Sequence, residues 1–478
     1  MSWIDYSIFI AYLAIMLGIG IYFMFKNNSV DDYFVGGRKM NAFHIGLSVV
    51  ATDVGGGFSI GLGGLGFVMG LSGTWLLFTG LIGAWLSAVL LIPKVSKLAA
   101  VHHFLSFPQF LKQLYNWKVA LTAGFISAIG YLGFTSSQIL AGAKLASATF
   151  PNISLQTALV LMGIIAVIYT SAGGIKAVIY TDTFQWILLM SSLVFVGIPI
   201  CYSGIGGYET IKATLPGSFF SLSNVSWQQI VNWFITIIPI WFIGMTLYQR
   251  IYAAGDKKTA QKAWFIAGLF EYPIMAFTGV ILGVFAKVAF ENGIIGSNMN
   301  GIMDPEMGLP VLLRTILPVG LTGIVLSAYF SAIMSTADSC LMAASGNVIT
   351  DLLNKHNSST IMLLSQITTL IIGASAIFIA WKVPNVLELM LHSYSFMVSG
   401  LFIPVLAGIF SKRRSSTGAL WSMITGGGVT LFLIVIQIKL PFDLDPNIYG
   451  ILLAAIVYLI FHFSGTRPNR LSDLRPPY

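Results

Sequence analysis

Charge is what this sequence has least of. Only 9% of its 478 residues are charged and 56% are hydrophobic, whereas soluble domains carry about 25% charged residues. That shortage excludes a soluble globular domain and points to a polytopic, all-α membrane protein with the lipid bilayer as a partner. Cysteine is nearly absent: Cys201 and Cys340 both sit in apolar context, so a disulfide framework is not supported. A His/Cys cluster of the kind that holds zinc is missing. No nucleophile–base pair stands out, so the chain does not read as an enzyme. Neither a repeated selectivity filter nor rings of pore charges are seen, which argues against a channel. Met1 to Tyr6 lacks a basic n-region and the first apolar run is of span length, so no signal peptide is expected. The short tail after Phe463 argues against a sensor with an added signalling domain. The net charge of +8 does not point to nucleic acid, because the basic residues lie in short loops between spans, where they set orientation.

What is present is hydrophobic length. About 20 apolar residues cross a bilayer, and about thirteen such runs are expected, at 4–25, 43–71, 74–94, 118–149, 155–172, 178–203, 228–253, 260–290, 310–352, 359–381, 385–410, 416–438 and 448–464. The ninth is too long for one crossing, so it must bend or project. With the N-terminus outside, only Lys144, Lys212, Lys287, Arg314, Lys382 and Lys439 fall outside, and the remaining 19 of 25 basic residues fall inside. This asymmetry predicts an outer N-terminus and a cytoplasmic C-terminus at the plasma membrane. Lys144 and Lys287 are expected to snorkel to the outer surface.

Asp53-Val-Gly-Gly-Gly57 interrupts the second run. An aspartate at bilayer depth costs roughly 2.5 to 3.5 kcal/mol, and each glycine costs about 1 kcal/mol of helix propensity relative to Ala. Unwound backbone exposes carbonyls, which coordinate small cations. The plainer alternative is close helix packing with a paired aspartate. Runs two to six and seven to eleven each hold five helices, so two tandem units have opposite orientation, the condition for an inverted repeat. The chain then divides into a first helix and loop (1–42), a first repeat (43–203), a second repeat (228–410) and two further helices with a short tail (411–478), in a single transport domain. The second repeat opens on a run interrupted by Pro239 to Gly244, and matched interruptions point to a midplane binding site.

Further polar residues lie at membrane depth. Ser331, Ser335, Asp338 and Ser339 fall on one helical face, with Thr336 flanking it. Hydroxyl and carbonyl oxygens suit a hard monovalent cation, and the alternative is helix–helix hydrogen bonding. Asp182 opens its run and Arg250 closes its own on the same, inner side; a salt bridge between them and a cation at Asp182 both fit. Glu271 either pairs with backbone or lines a cavity.

Four stretches carry a resemblance: Asp31 to Arg38, Ala172 to Asp182 with Gln185, Gln249-Arg250, and Ser335-Thr336. Over roughly residues 4 to 415 the chain resembles the sodium/solute symporter family, which includes sodium-coupled proline, sugar, sialic acid, pantothenate, iodide and choline carriers. The resemblance implies an inverted five-plus-five helix repeat of the leucine-transporter type, alternating access and Na+ as the coupling ion. It implies a sodium site at the carbonyls of Ala51, Val54 and Ala332 with the hydroxyls of Ser335 and Thr336. In some members a second sodium would match Asp182, Ser335, Asp338 and Ser339. The implied pocket is Thr52, Asp53, Gly55, Gly56, Phe58, Trp75, Tyr131, Gln138, Trp241 and Tyr394. Asp53 followed by small residues resembles the proline-type carriers, whereas Val54 to Gly57 and Ser335 to Ser339 resemble the choline-type carriers. The expected function is sodium-coupled import of a small organic solute, with proton coupling on the same fold as the alternative. Oligomeric state is left open.

Overall fold

The computed structural model describes residues 2–26, 35–150, 152–296, 303–348, 358–464 and 469–470. Residues 31–34 of the first resembling stretch lie outside them. Each of the thirteen expected spans is helical. The helices are α1 (Trp3–Lys26), α2 (Ala42–Met69), α3 (Trp75–Leu90), α4 (Ile92–His102), α5 (Phe107–Leu114), α6 (Trp117–Thr149), α7 (Leu155–Ser192), α8 (Ile198–Gly204) and α9 (Gly207–Thr214). There follow α10 (Trp227–Ile243), α11 (Met245–Ala253), α12 (Lys257–Phe270), α13 (Phe277–Glu291), α14 (Pro305–Ile316), α15 (Leu321–Gly346), α16 (Ser358–Lys382), α17 (Val386–Phe410), α18 (Ser416–Ile436) and α19 (Pro446–Ser464). Among the described residues, eight stretches are long and apolar enough to cross a bilayer, α10 with α11 makes a bent ninth, and four shorter apolar helices accompany them.

Three departures from the expected spans have physical causes. The long ninth run divides into α14 and α15, and Gly320 at φ 86° makes the corner; a positive φ is available to glycine at little cost. The helix of the seventh run breaks at Gly244, where α10 and α11 meet at 43°, while Pro239 stays inside α10. Helical backbone is continuous over Leu155–Ser192, where two spans separated by a turn are expected. Both ends of the region 155–204 nonetheless lie at the end of the molecule that holds the N-terminus. Phe150 stacks on Tyr6, Arg314 donates to the Ala148 carbonyl, and Gly204 packs on Ile316. A straight helix of that length would span roughly 75 Å, so the region 155–204 does not run as one straight rod.

Helix α15 is the axis of the bundle: every residue from Val325 to Gly346 is buried. Around it pack α1, α2, α6, α7 and α16. Helix α1 is tied to it at both levels, since Asp5 accepts from the backbone N–H groups of Gly320 (2.8 Å) and Gly323 (2.9 Å), and Tyr12 donates to Ser331. Helices α18 and α19 sit at the edge and expose Phe432, Val435, Leu452 and Ile456.

Helix α2 packs along α12 and α13 on a seam of small residues. A Cβ at Gly66 would stand 2.2 Å from the Val280 carbonyl oxygen, and one at Gly283 would stand 2.1 Å from the Gly63 carbonyl oxygen. Such contacts let two backbones approach closely. Gly66→Ala is expected to lower stability by roughly 1 to 3 kcal/mol through overpacking against rigid backbone. Gly217→Ala, where no atom lies within 4 Å, is the control. Thermal unfolding of the detergent-solubilised protein reads both, and equal melting temperatures would show that the seam has room to relax.

Candidate functional site

Helix α2 enters the core capped by Asn41, whose side chain accepts from the His44 N–H at 3.0 Å. It loses helical geometry at Gly55, where φ is 41° and ψ is −165°. The Gly56 N–H donates to the Gln138 side chain of α6 at 3.0 Å, and the Ser59 hydroxyl returns to the Gly55 carbonyl at 2.5 Å. No side chain fits at the break: a Cβ on Gly55 would lie 2.3 Å from the Thr336 hydroxyl, and one on Gly56 would lie 2.1 Å from Ile333. The glycines therefore seat the break of α2 directly on α15.

Against that break, Thr336 Oγ1 lies 2.9 Å from the Ala51 carbonyl oxygen and 3.2 Å from that of Ala332. Three hard oxygens thus converge, as a monovalent cation requires. The Ser335 hydroxyl, expected beside them, instead donates to Asp182. The side chains of Val54 and Phe58 lie outside the described residues.

One turn towards the opposite end, Arg250 of α11 is fully buried and its guanidinium serves four helices. It donates to Ser48 (2.9 Å) and Thr52 of α2, to Asp182 of α7 (3.1 Å), to Ser339 of α15 (3.2 Å) and to the Thr246 carbonyl of its own helix (3.1 Å). Asp182 is as buried and also accepts from Ser48 at 2.5 Å and from Ser335. The four residues matched to a second cation are therefore not grouped around an open space. Asp182, Ser335 and Ser339 are bonded to Arg250 or to each other, and Asp338 is buried one residue from Ser339.

On the other side of the break lies an aromatic group. Tyr394 of α17 donates to Asp53 at 3.4 Å and meets Phe134 edge to face at 5.0 Å between ring centroids. Tyr131 shares a 3.0 Å hydrogen bond with the Thr246 hydroxyl and accepts from the Thr246 N–H at 3.1 Å, at the start of α11. Asp53, Tyr131, Gln138 and Tyr394 are thus brought together. Trp75 is not: it is half-buried, and its indole donates to the Leu222 carbonyl at 2.9 Å at the N-terminal end. Trp241 is wedged between Gly83 and Trp264. Thr52 faces Arg250 and Ser339.

The expected snorkelling of Lys144 is overturned. It is buried and bonded to Asp304 (2.7 Å) and Glu306 (2.6 Å), because α14 folds over the end of α6 and carries two carboxylates to it. Lys287 keeps partial exposure, paired with Glu291 at 2.6 Å and lying over the Phe67 ring. Residues 304–306 carried no motif to mark them as partners of Lys144, and Ser48 and Phe134 were indistinguishable from ordinary packing residues.

A family model described as "Sodium:solute symporter family" matches residues 33–426. The chain belongs to the sodium:solute symporter family. It is a multi-pass membrane transporter, not an enzyme, and its coupling ion is sodium. Similar proteins include the osmoregulated proline transporter OpuE of Bacillus subtilis, 26% identical over 96% of this chain and 95% of the relative. The sodium/pantothenate symporter of Escherichia coli is 25% identical over 96% of each chain. Among solved structures, a Na+-coupled sialic acid symporter in a substrate-bound outward-open state superposes with a TM-score of 0.80, at 23% identity, over 98% of this chain and all of the other. The nucleobase-cation-symport-1 family transporter Mhp1 gives a TM-score of 0.59 at 13% identity, over 90% of this chain and 94% of the other. These likenesses bear out the fold of this symporter: an inverted five-plus-five repeat of the leucine-transporter type.

The buried pair of this symporter gives a stability prediction. Removing one partner of a buried ion pair costs about 3 to 5 kcal/mol. Asp182→Asn is therefore expected to lower the melting temperature far more than a surface change does. Asp182→Leu combined with Arg250→Met is expected to lose less than the two single changes together. Additive losses would mean that the guanidinium's other four contacts, not Asp182, hold it.

Proposed function

We propose that this symporter imports a small organic solute across the plasma membrane by alternating access, driven by the sodium gradient. The solute class is an amino acid such as proline or a choline-like compound. The observation that carries this reading is the convergence of Thr336 Oγ1 with the carbonyl oxygens of Ala51 and Ala332 at the Gly55 break. Those three, with the Val54 carbonyl and the Ser335 hydroxyl, would hold sodium; the ion supplies the coupling. Ser335 must then exchange Asp182 for the ion, which links the ion site to the Arg250 network. In the arrangement here Arg250 takes up Asp182 and Ser339, so a second sodium at Asp182, Asp338 and Ser339 requires the guanidinium to withdraw. The solute is placed beside Asp53, Tyr131, Gln138 and Tyr394.

The relatives support a small organic solute, since one is a proline transporter and another a pantothenate symporter. The distribution of basic residues supports an outer N-terminus and a cytoplasmic C-terminus. The repeats are assigned to 43–203 and 228–410, each opening on a broken helix (Gly55 and Gly244). Sodium need only bind more tightly to the solute-competent state than to its alternative for transport to be coupled.

Thr336→Ala removes a hydroxyl that contacts a charge, an interaction worth about 1.5 to 3 kcal/mol. Apparent sodium affinity is expected to fall by roughly 10- to 100-fold, with Ser335→Ala acting in the same direction. Uptake into proteoliposomes under a sodium gradient, with proline, choline, pantothenate and a sugar as solutes and potassium as control, measures this. Wild-type sodium affinity in both variants would sink the site assignment. Uptake of every solute that persisted equally in potassium would sink sodium-driven import.

A further inference from the structure

Asp53, beside the Gly55 break, stands level with a second buried acid that the sodium site does not use. Helices α2 and α12–α13 run side by side in register: Gly46 packs on Ala263, and Leu62 packs on Gly279. Both pairs differ by the same number of residues, so Asp53 stands level with Phe270 and Glu271. Asp53 also lies two turns from Gly46, and positions seven apart share a helix face. It therefore faces α12–α13, whereas Ala51 and Gly55 face Thr336 of α15.

Glu271 opens a π-helical segment, Glu271–Ala276, a distortion frequent at functional sites. Its side chain is fully buried, and among the described residues neither carboxyl oxygen has a hydrogen-bond partner. The carboxylate is laid on Gly80 of α3, where a Cβ would come within 1.8 Å of Oε1. Asp53 is 5% exposed; one of its oxygens takes the Tyr394 hydroxyl, and the other has no partner. The buried bases near the core are already engaged, Arg250 by Asp182 and Lys144 by Asp304 and Glu306. Two carboxyl groups thus stand at one level of a buried core, with three acceptor oxygens unfilled among the described residues. A buried carboxylate that stays ionised needs a compensating positive group.

We propose that Asp53 and Glu271 together bind the positively charged nitrogen of the transported solute. This rests on the symport reading and narrows it. The solute is an ammonium or quaternary ammonium compound, and an anion without such a nitrogen, or a neutral sugar, is not accepted. Glu271 fixes the nitrogen from the α13 side, and Asp53 fixes it from the broken helix, next to but not within the sodium oxygens.

The test uses the full chain in detergent. Melting-temperature shifts are titrated with L-proline, choline, glycine betaine, pantothenate and glucose, each in sodium and in potassium chloride. At least one of the first three is expected to stabilise the wild type in sodium. Glu271→Gln is expected to weaken that compound's apparent affinity at least tenfold, and Glu271→Asp is expected to recover part of it. Sodium alone should stabilise Glu271→Gln as it does the wild type, which also shows that the variant is folded. Should Glu271→Gln fail to accumulate, Asp53→Asn is measured in its place, with the same loss of affinity expected. Wild-type affinity in the variant overturns the proposal. So does stabilisation by pantothenate or glucose alone, or by none of the nitrogen-bearing compounds. If sodium stabilises the wild type but those compounds do not, the proposal alone fails. If sodium has no effect on the wild type at all, the symport reading fails with it.

Discussion

The structure depends on one guanidinium buried where charge is least tolerated. Arg250 is fully enclosed, and its donors reach α2, α7 and α15 as well as its own helix. A charge at this depth survives only when paired and hydrogen-bonded, so these helices are held at the distances their bonds demand. Ser48, Thr52, Asp182 and Ser339 are polar for this reason before any transport role is considered.

Helix α2 shows two faces with separate duties. One carries Ala51 and Gly55 against Thr336, where backbone carbonyls and a hydroxyl converge. The other carries Gly46 and Asp53 against α12 and the π-helical turn at Glu271. The glycines at 55 and 56 serve both, because any side chain there would collide with α15.

Much of this was legible in the sequence. Low charge and thirteen apolar runs announce a membrane bundle, and Asp53 beside three glycines announces a break. Hydroxyls at 335 and 336 announce a polar face at membrane depth, and both are buried. Other features were hidden because they depend on which segments meet. Pro239 marks the interrupted helix, but the bend falls at Gly244, where no proline ring fixes φ and no Cβ favours the helix. Trp75 sits in an apolar run like any pocket aromatic, yet its indole is satisfied by the loop at Leu222. Lys144 reads as a snorkelling residue until α14 brings Asp304 and Glu306 over it. Arg250 with Asp182 was legible as a pair, but its bonds to Ser48, Thr52 and Ser339 were not.

Glu306 has a consequence of its own. Its carboxylate grips Lys144 on α6 and at the same time accepts the first amides of α17, Val386 (2.9 Å) and Leu387 (3.0 Å). It is a clasp that fastens three elements at the N-terminal end. Helix α17 is a stiff rod, and eight residues along it lies Tyr394, the hydroxyl on Asp53. A tug on the clasp is therefore felt at the aspartate. Unfastening it would also bare two amide donors at a positively polarised helix end, beside a Lys144 that keeps Asp304 as its partner.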